Sequence, residues 1–185
     1  MPVNSSVTPK IKNIILILSF VFIGLSAQAS DKIDNLLVYS NNFLFSVKEP
    51  TGWKGDIDNA ASYRANIVFY QSNENFREAK TMIRILIANK TDENTIEDLK
   101  YDMESYRKQY PKIKFKDILI KHPDYGTYPK LFYIDDNFYE YTTYLNPGKR
   151  FRYIISVSMN KQKINATKEE IEAYTHIIES LKAMK

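Results

Sequence analysis

The chain has no cysteine, which excludes a disulfide framework, a thiolate metal site and a cysteine nucleophile. Glycine is also scarce, with five residues in 185. No Walker loop or G-x-G-x-x-G run is present, and so few glycines leave little material for a phosphate cradle. Histidine occurs twice, and no serine sits in a G-x-S-x-G elbow. There is no internal repeat and no linker rich in Gly, Ser or Pro. Long apolar runs are missing too. The stretch from Ile14 to Leu25, interrupted by Ser19 and Gly24, is well short of the ~20 residues a bilayer core requires.

That stretch reads instead as the centre of a secretory leader. Lys10 and Lys12 precede it, no acid occurs in residues 1–29, and Ser26-Ala27-Gln28-Ala29 puts small side chains where a signal peptidase needs them. Cleavage after Ala29 is expected, giving a periplasmic or secreted protein with no stable membrane anchor. Two of the 26 Lys and Arg residues leave with the leader, so a formal net charge of +4 falls to +2. The remaining charges are mixed in sign, without the concentrated basic stripe of a nucleic-acid binder. The densest basic stretch, Lys112 to Lys116, alternates with apolar residues like the wet face of a strand. Nucleic acid is not an expected partner. Residues 30–185 have the length of one domain, enough to fold around an apolar core without staples.

The first strand is expected over Asn42–Val47, ending at Pro50-Thr51-Gly52-Trp53. Asn66–Tyr70 and Thr81–Ala88 are rich in β-branched residues and read as two more. Asn94 with Glu97 offers a variant capping box, and Ile96, Leu99, Met103, Tyr106 and Tyr110 form one helical stripe that Pro111 ends. Four strands follow, at Ile113–Lys121, Pro129–Ile134, Phe138–Leu145 and Phe151–Met159. A shift of apolar phase predicts a bulge near Lys116-Asp117. The last two strands are joined by Asn146-Pro147-Gly148-Lys149, a type II-like turn. Thr167 and Glu170 cap a terminal helix running to Lys185, with Ile171, Tyr174, Ile178 and Leu181 buried and Lys182 and Lys185 at its negative end. The expected fold class is α+β in the order βββαββββα, a largely antiparallel sheet with helices packed on it.

That order, the alternation Phe43, Phe45, Val47, the turn Pro50-x-Gly52-Trp53, and the Phe138–Met159 hairpin leading into Thr167–Lys185 together resemble the PsbP-type α/β/α sandwich. The resemblance covers nearly all of residues 30–185. It implies a noncatalytic partner of a larger assembly, with no shared catalytic residues to carry over.

Candidate chemistry is sparse. His122 precedes Pro123 in a turn-rich stretch with Asp124, Tyr125, Gly126 and Tyr128. Glu172, His176 and Glu179 lie on one helix face and suit a divalent metal by type, though paired charges on a solvated helix account for them better. Asp135-Asp136 before Asn137 fits an ordinary turn. Asn89-Lys90-Thr91 and Asn165-Ala166-Thr167 are sequons. No catalytic residue, metal ligand or cofactor is expected. Aromatic density is the remaining feature. Tyr139 and Tyr141 share one strand face and Tyr144 the other, with Tyr133 and Tyr153 on neighbouring strands. An exposed tyrosine row would suit a protein partner, whereas tyrosines filling the layer between sheet and helix would be core. Trp53, Tyr125, Tyr128, Tyr139 and Tyr141 are thus the candidate binding residues of an accessory protein that binds another protein, for example a protective inhibitor. A small hydrolase using His122 or His176, or a carrier with an aromatic pocket beneath Trp53, are the alternatives.

Overall fold

Alternation along each strand decides what each side of the sheet holds. The computed structural model describes residues 35–90, 95–135 and 137–185. The expected leader, the Asn94 cap, Thr91 of the first sequon and Asp136 lie outside the described residues. The elements run β1 (Asn35–Ser40), β2 (Phe43–Lys48), β3 (Trp53–Asp56), a 3-10 turn (Ala60–Tyr63), β4 (Ile67–Gln71), β5 (Met82–Asn89), α1 (Thr95–Gln109), β6 (Lys114–Asp117), β7 (Gly126–Ile134), β8 (Phe138–Asn146), β9 (Tyr153–Gln162), α2 (Lys168–Ser180) and β10 (Lys182–Met184). Among the described residues these strands form a seven-stranded sheet, β3-β4-β5-β9-β8-β7-β6, and a three-stranded sheet, β1-β2-β10. Every pairing is antiparallel. The fold is α+β, with two helices packed on antiparallel sheet.

One face of the large sheet is apolar. Ile67, Phe69, Ile83, Ile85, Val157 and Met159 are fully buried there, against α2 and the inward side chains Phe45 and Val47 of the small sheet. Tyr174 of α2 is sealed in the middle, its hydroxyl donating to the Val157 carbonyl at 2.9 Å and lying 2.9 Å from Thr143 Oγ1. The other face carries α1, which packs Leu99 and Tyr106 around Phe132 and Tyr144. α1 covers only the β8 side of this face. On the β4 side the 3-10 turn makes a small separate cluster of Ala60, Val68 and Tyr70.

The expected strands all exist, but three more join them. β1 and β10 flank β2, and β3 forms an edge of the large sheet. In β1 the outward Leu37 and Tyr39 are as apolar as the inward Leu36 and Val38, which hides the period of two. The terminal helix is shorter than expected. It stops at Ser180, and Leu181 turns to φ −62°, ψ 131°, so that Lys182–Met184 pairs with β2 rather than continuing the helix. Lys182 and Lys185 therefore do not sit at a helix terminus. No bulged continuation of β6 forms either. Pairing ends at Asp117, and the chain leaves the sheet to bury Ile120, whose carbonyl accepts from Thr127 Oγ1 at 2.9 Å. The β8–β9 turn falls two residues later than expected: Gly148 takes φ 106°, but the closing bond runs from the Phe151 N–H to the Gly148 carbonyl at 3.2 Å, with Lys149 and Arg150 in the middle.

The α2 capping box is formed, with Thr167 Oγ1 accepting from the Glu170 N–H at 3.3 Å and Glu170 Oε2 from the Thr167 N–H at 2.8 Å. The remaining Glu170 oxygen receives Lys161 Nζ at 2.6 Å and the Thr81 hydroxyl, and all three residues are buried. Burial pushes the Glu170 carboxyl up, but these donors and the Lys161 charge outweigh it and hold the group below its ordinary value. The network ties the start of α2 to the residue before β5 and to β9.

Candidate functional site

Between α1 and the 3-10 turn, the α1-side face of β5, β9 and β8 is only partly covered, and most of its residues are polar. Register makes the grid. Arg84, Ser158 and Thr142 are directly opposite one another across the three strands, Met82, Asn160 and Glu140 form the next row, and Leu86, Ser156 and Tyr144 the row beyond. The same alternation that turns Ile83 and Ile85 into the core turns Arg84 toward this face.

Arg84 is the hub. Its Nη2 donates to Glu140 Oε1 at 3.3 Å and to Asn160 Oδ1 at 3.2 Å, and its Nε to Ser158 Oγ at 3.2 Å. Glu140, 4% exposed, also accepts from Tyr106 Oη at 2.7 Å, which brings α1 into the network. Tyr144 donates to Asp102, also on α1. Burial pushes the Glu140 carboxyl up, and the bonds from Tyr106 and the Arg84 charge only partly offset it. Burial and the Glu140 charge raise the Tyr106 phenol far above its ordinary value, keeping it a donor.

Two clefts open over this grid. The smaller, about 200 Å³, is lined among others by Arg64, Asp102, Tyr106, Glu140 and Ser156. The larger, about 760 Å³, runs from Glu74 and Lys80 past Asn160 to Thr167 and Glu170 at the start of α2. Tyr63 and Arg84 line both, so the two form one trough. Tyr63 is 44% exposed and its ring is held edge-on by Phe76, at 5.3 Å and 83°.

The residues singled out from the sequence lie elsewhere and do not converge. Trp53 heads β3 with 8% exposure, packed in the main core. Tyr141 is buried beneath α2, 6.3 Å from the Tyr174 ring, and donates to Asn165. Tyr139 is half-buried on that same core face, whereas Tyr128 is half-buried on the opposite, α1 face. Tyr144 and Tyr153 are buried as well. An exposed tyrosine row is therefore not what the hairpin presents, because its tyrosines are buried or half-buried on both faces. Tyr125 stacks on His122 at 4.1 Å and 2°, and its hydroxyl accepts the Ala183 N–H at 2.8 Å.

Among the described residues, neither histidine is hydrogen-bonded to a serine or threonine hydroxyl. The Nδ1 of His122 accepts the N–H groups of Asp124 at 2.9 Å and Tyr125 at 3.0 Å, so the proton sits on Nε2, which donates to the Leu181 carbonyl at 2.8 Å. Nδ1 is thus spent on its own loop and Nε2 on the end of α2. His176 stands exposed on α2, and Glu172 beside it pairs with Lys168 at 3.3 Å. Asp135 binds Lys114 at 2.7 Å in the β7–β8 turn. Among the described residues no helix is long and apolar enough to cross a membrane.

The trough residues Arg84, Glu140, Tyr106 and Asp102 were not singled out from the sequence. A signal existed in the lone charges Arg84 and Glu140, each in the middle of an otherwise uncharged strand.

No family model matches the chain, and no curated protein matches it. Among solved structures, the chain is similar to the solution structure of cyanobacterial PsbP (CyanoP) from Synechocystis sp. PCC 6803. The match has a TM-score of 0.48 and 15% sequence identity, and covers 86% of this chain and 99% of that one. The likeness is one of fold.

Proposed function

We propose that this chain is an exported, noncatalytic accessory protein that binds another protein along the trough between α1 and the 3-10 turn. The observation that carries the reading is the meeting of two polar clefts at Tyr63 and Arg84. Sites for small molecules are mostly apolar and enclosing. This trough is open and lined by groups of both signs, and tyrosine and arginine are the residue types enriched at the centres of protein interfaces. Inhibition of an exported toxin is one form such binding would take. The state of the two histidines speaks against the hydrolase alternative, and the buried position of Trp53, away from both clefts, against the carrier.

The test is affinity capture of the tagged protein from cell envelopes, comparing wild type with the double variant Tyr63→Ser, Arg64→Glu. A partner recovered by wild type and lost by the variant, at unchanged melting temperature, supports the reading. Hydrolysis of an ester or peptide that disappears in His176→Ala with the fold intact would favour the enzyme. Export is tested separately by intact mass, which should begin within a few residues of Ser30 and not at Met1.

A further inference from the structure

The three-stranded sheet has an inner face, packed on the core, and an outer face on which the residues of β1 and β10 are exposed. Cross-strand register defines the outer face. Tyr39, Leu44 and Met184 stand directly opposite one another in one row, Leu37, Ser46 and Lys182 in the next, and Asn35 and Lys48 in the third. Tyr39 is 79% exposed, Leu37 54% and Met184 41%. Side chains of this size usually face inward, and here they sit side by side. Their charge environment is one-sided. The strands read NLLVYS, FLFSVK and KAM, so the sheet holds no Asp or Glu, while Lys48 and Lys182 project at its polar end. Elsewhere the chain mixes both signs, as the trough does.

An apolar row containing a tyrosine, bordered by lysines and free of carboxylates, matches the boundary of a bilayer. Apolar groups and the tyrosine ring enter the headgroup region, and the flexible lysine stems leave their ammonium groups at anionic phosphates. A protein partner would more often be met by mixed charges of the kind found in the trough.

We propose that the outer face of β1-β2-β10 docks reversibly onto an anionic phospholipid surface. None of Leu37, Tyr39, Leu44, Lys48, Lys182 and Met184 lines the trough. The inference does not depend on what the trough binds.

The experiment uses the protein as recovered from the cells that make it, sedimented with vesicles of phosphatidylglycerol and phosphatidylcholine, or of phosphatidylcholine alone. Uptake is expected with the anionic vesicles, weakening as salt screens the lysines. The double variants Leu37→Ser, Tyr39→Ser and Lys48→Gln, Lys182→Gln should each lower the vesicle-bound fraction about tenfold at unchanged melting temperature. Tyr39→Trp supplies a local readout, with its emission moving to the blue on anionic vesicles and not on neutral ones. No uptake, or uptake that both double variants leave unchanged, would overturn the proposal. So would a dimer, or a captured acidic protein, that depends on Tyr39 in the absence of any vesicle-induced shift.

Discussion

The two faces of the seven-stranded sheet are made by the same strands, one residue out of step, and they are built for opposite ends. On the α2 face, Ile83, Ile85, Val157 and Met159 are closed off by a helix and a second sheet, and the one buried ionic network lies at its border around Glu170. On the α1 face, Arg84, Ser158, Asn160 and Glu140 satisfy one another within the sheet and remain reachable from the trough. The difference teaches where stability and availability reside. An apolar face must be covered, and a face whose polar groups are mutually paired can stay open at little cost.

The comparison breaks most readily at its apolar side. Phe69 is fully buried, so Phe69→Ala should destabilise by about 3–5 kcal/mol. On the other face, Ser156→Ala should move urea midpoints by less than about 0.5 kcal/mol. Similar losses at the two positions would show that the open face also holds the fold together.

Next in size is the border network. Lys161→Met leaves Glu170 buried with its charged partner gone, at a cost of about 3 kcal/mol in thermal or urea melts. A loss below about 1 kcal/mol would mean that Glu170 simply takes up a proton or reaches water.

Glu140 and Glu170, both buried, sharpen the comparison through their signs. Glu170 lies below its ordinary 4.5 in the folded state, so its contribution is present above 4.5 and is lost as pH falls through the lower folded value. Glu140 lies above 4.5, so its contribution is present below 4.5 and is lost as pH rises through the higher folded value. Urea melts from about pH 3 to about pH 7 should therefore find Glu170→Gln flattening the loss toward acid and Glu140→Gln flattening the loss toward neutral pH. The same sign for both variants would contradict the assigned environments.

Much of the fold could be read locally. The Thr167–Glu170 box and the α2 stripe are short-range signals, and both appear in the structure, as does the positive φ of Gly148. The small sheet was harder to read. β1 is apolar on both sides, and β10 spans three residues that follow a helix without a breaker. Candidate residues fared less well, because their roles come from register and not from neighbours in the chain. Arg84 meets Glu140 only after β5, β9 and β8 align. The acceptor of His122 Nε2, the Leu181 carbonyl, comes from the far end of α2. The tyrosines of the hairpin were readable as a cluster, but which of them α1 and α2 would cover was not.

The most direct test of the division between the two faces is one variant measured two ways. Tyr63→Ser with Arg64→Glu alters only exposed residues beside the trough. Its melting temperature should stay within about 2 °C of wild type, while recovery of the envelope partner falls about tenfold or more. An unchanged recovery with an intact fold would contradict the assignment of the open face to binding.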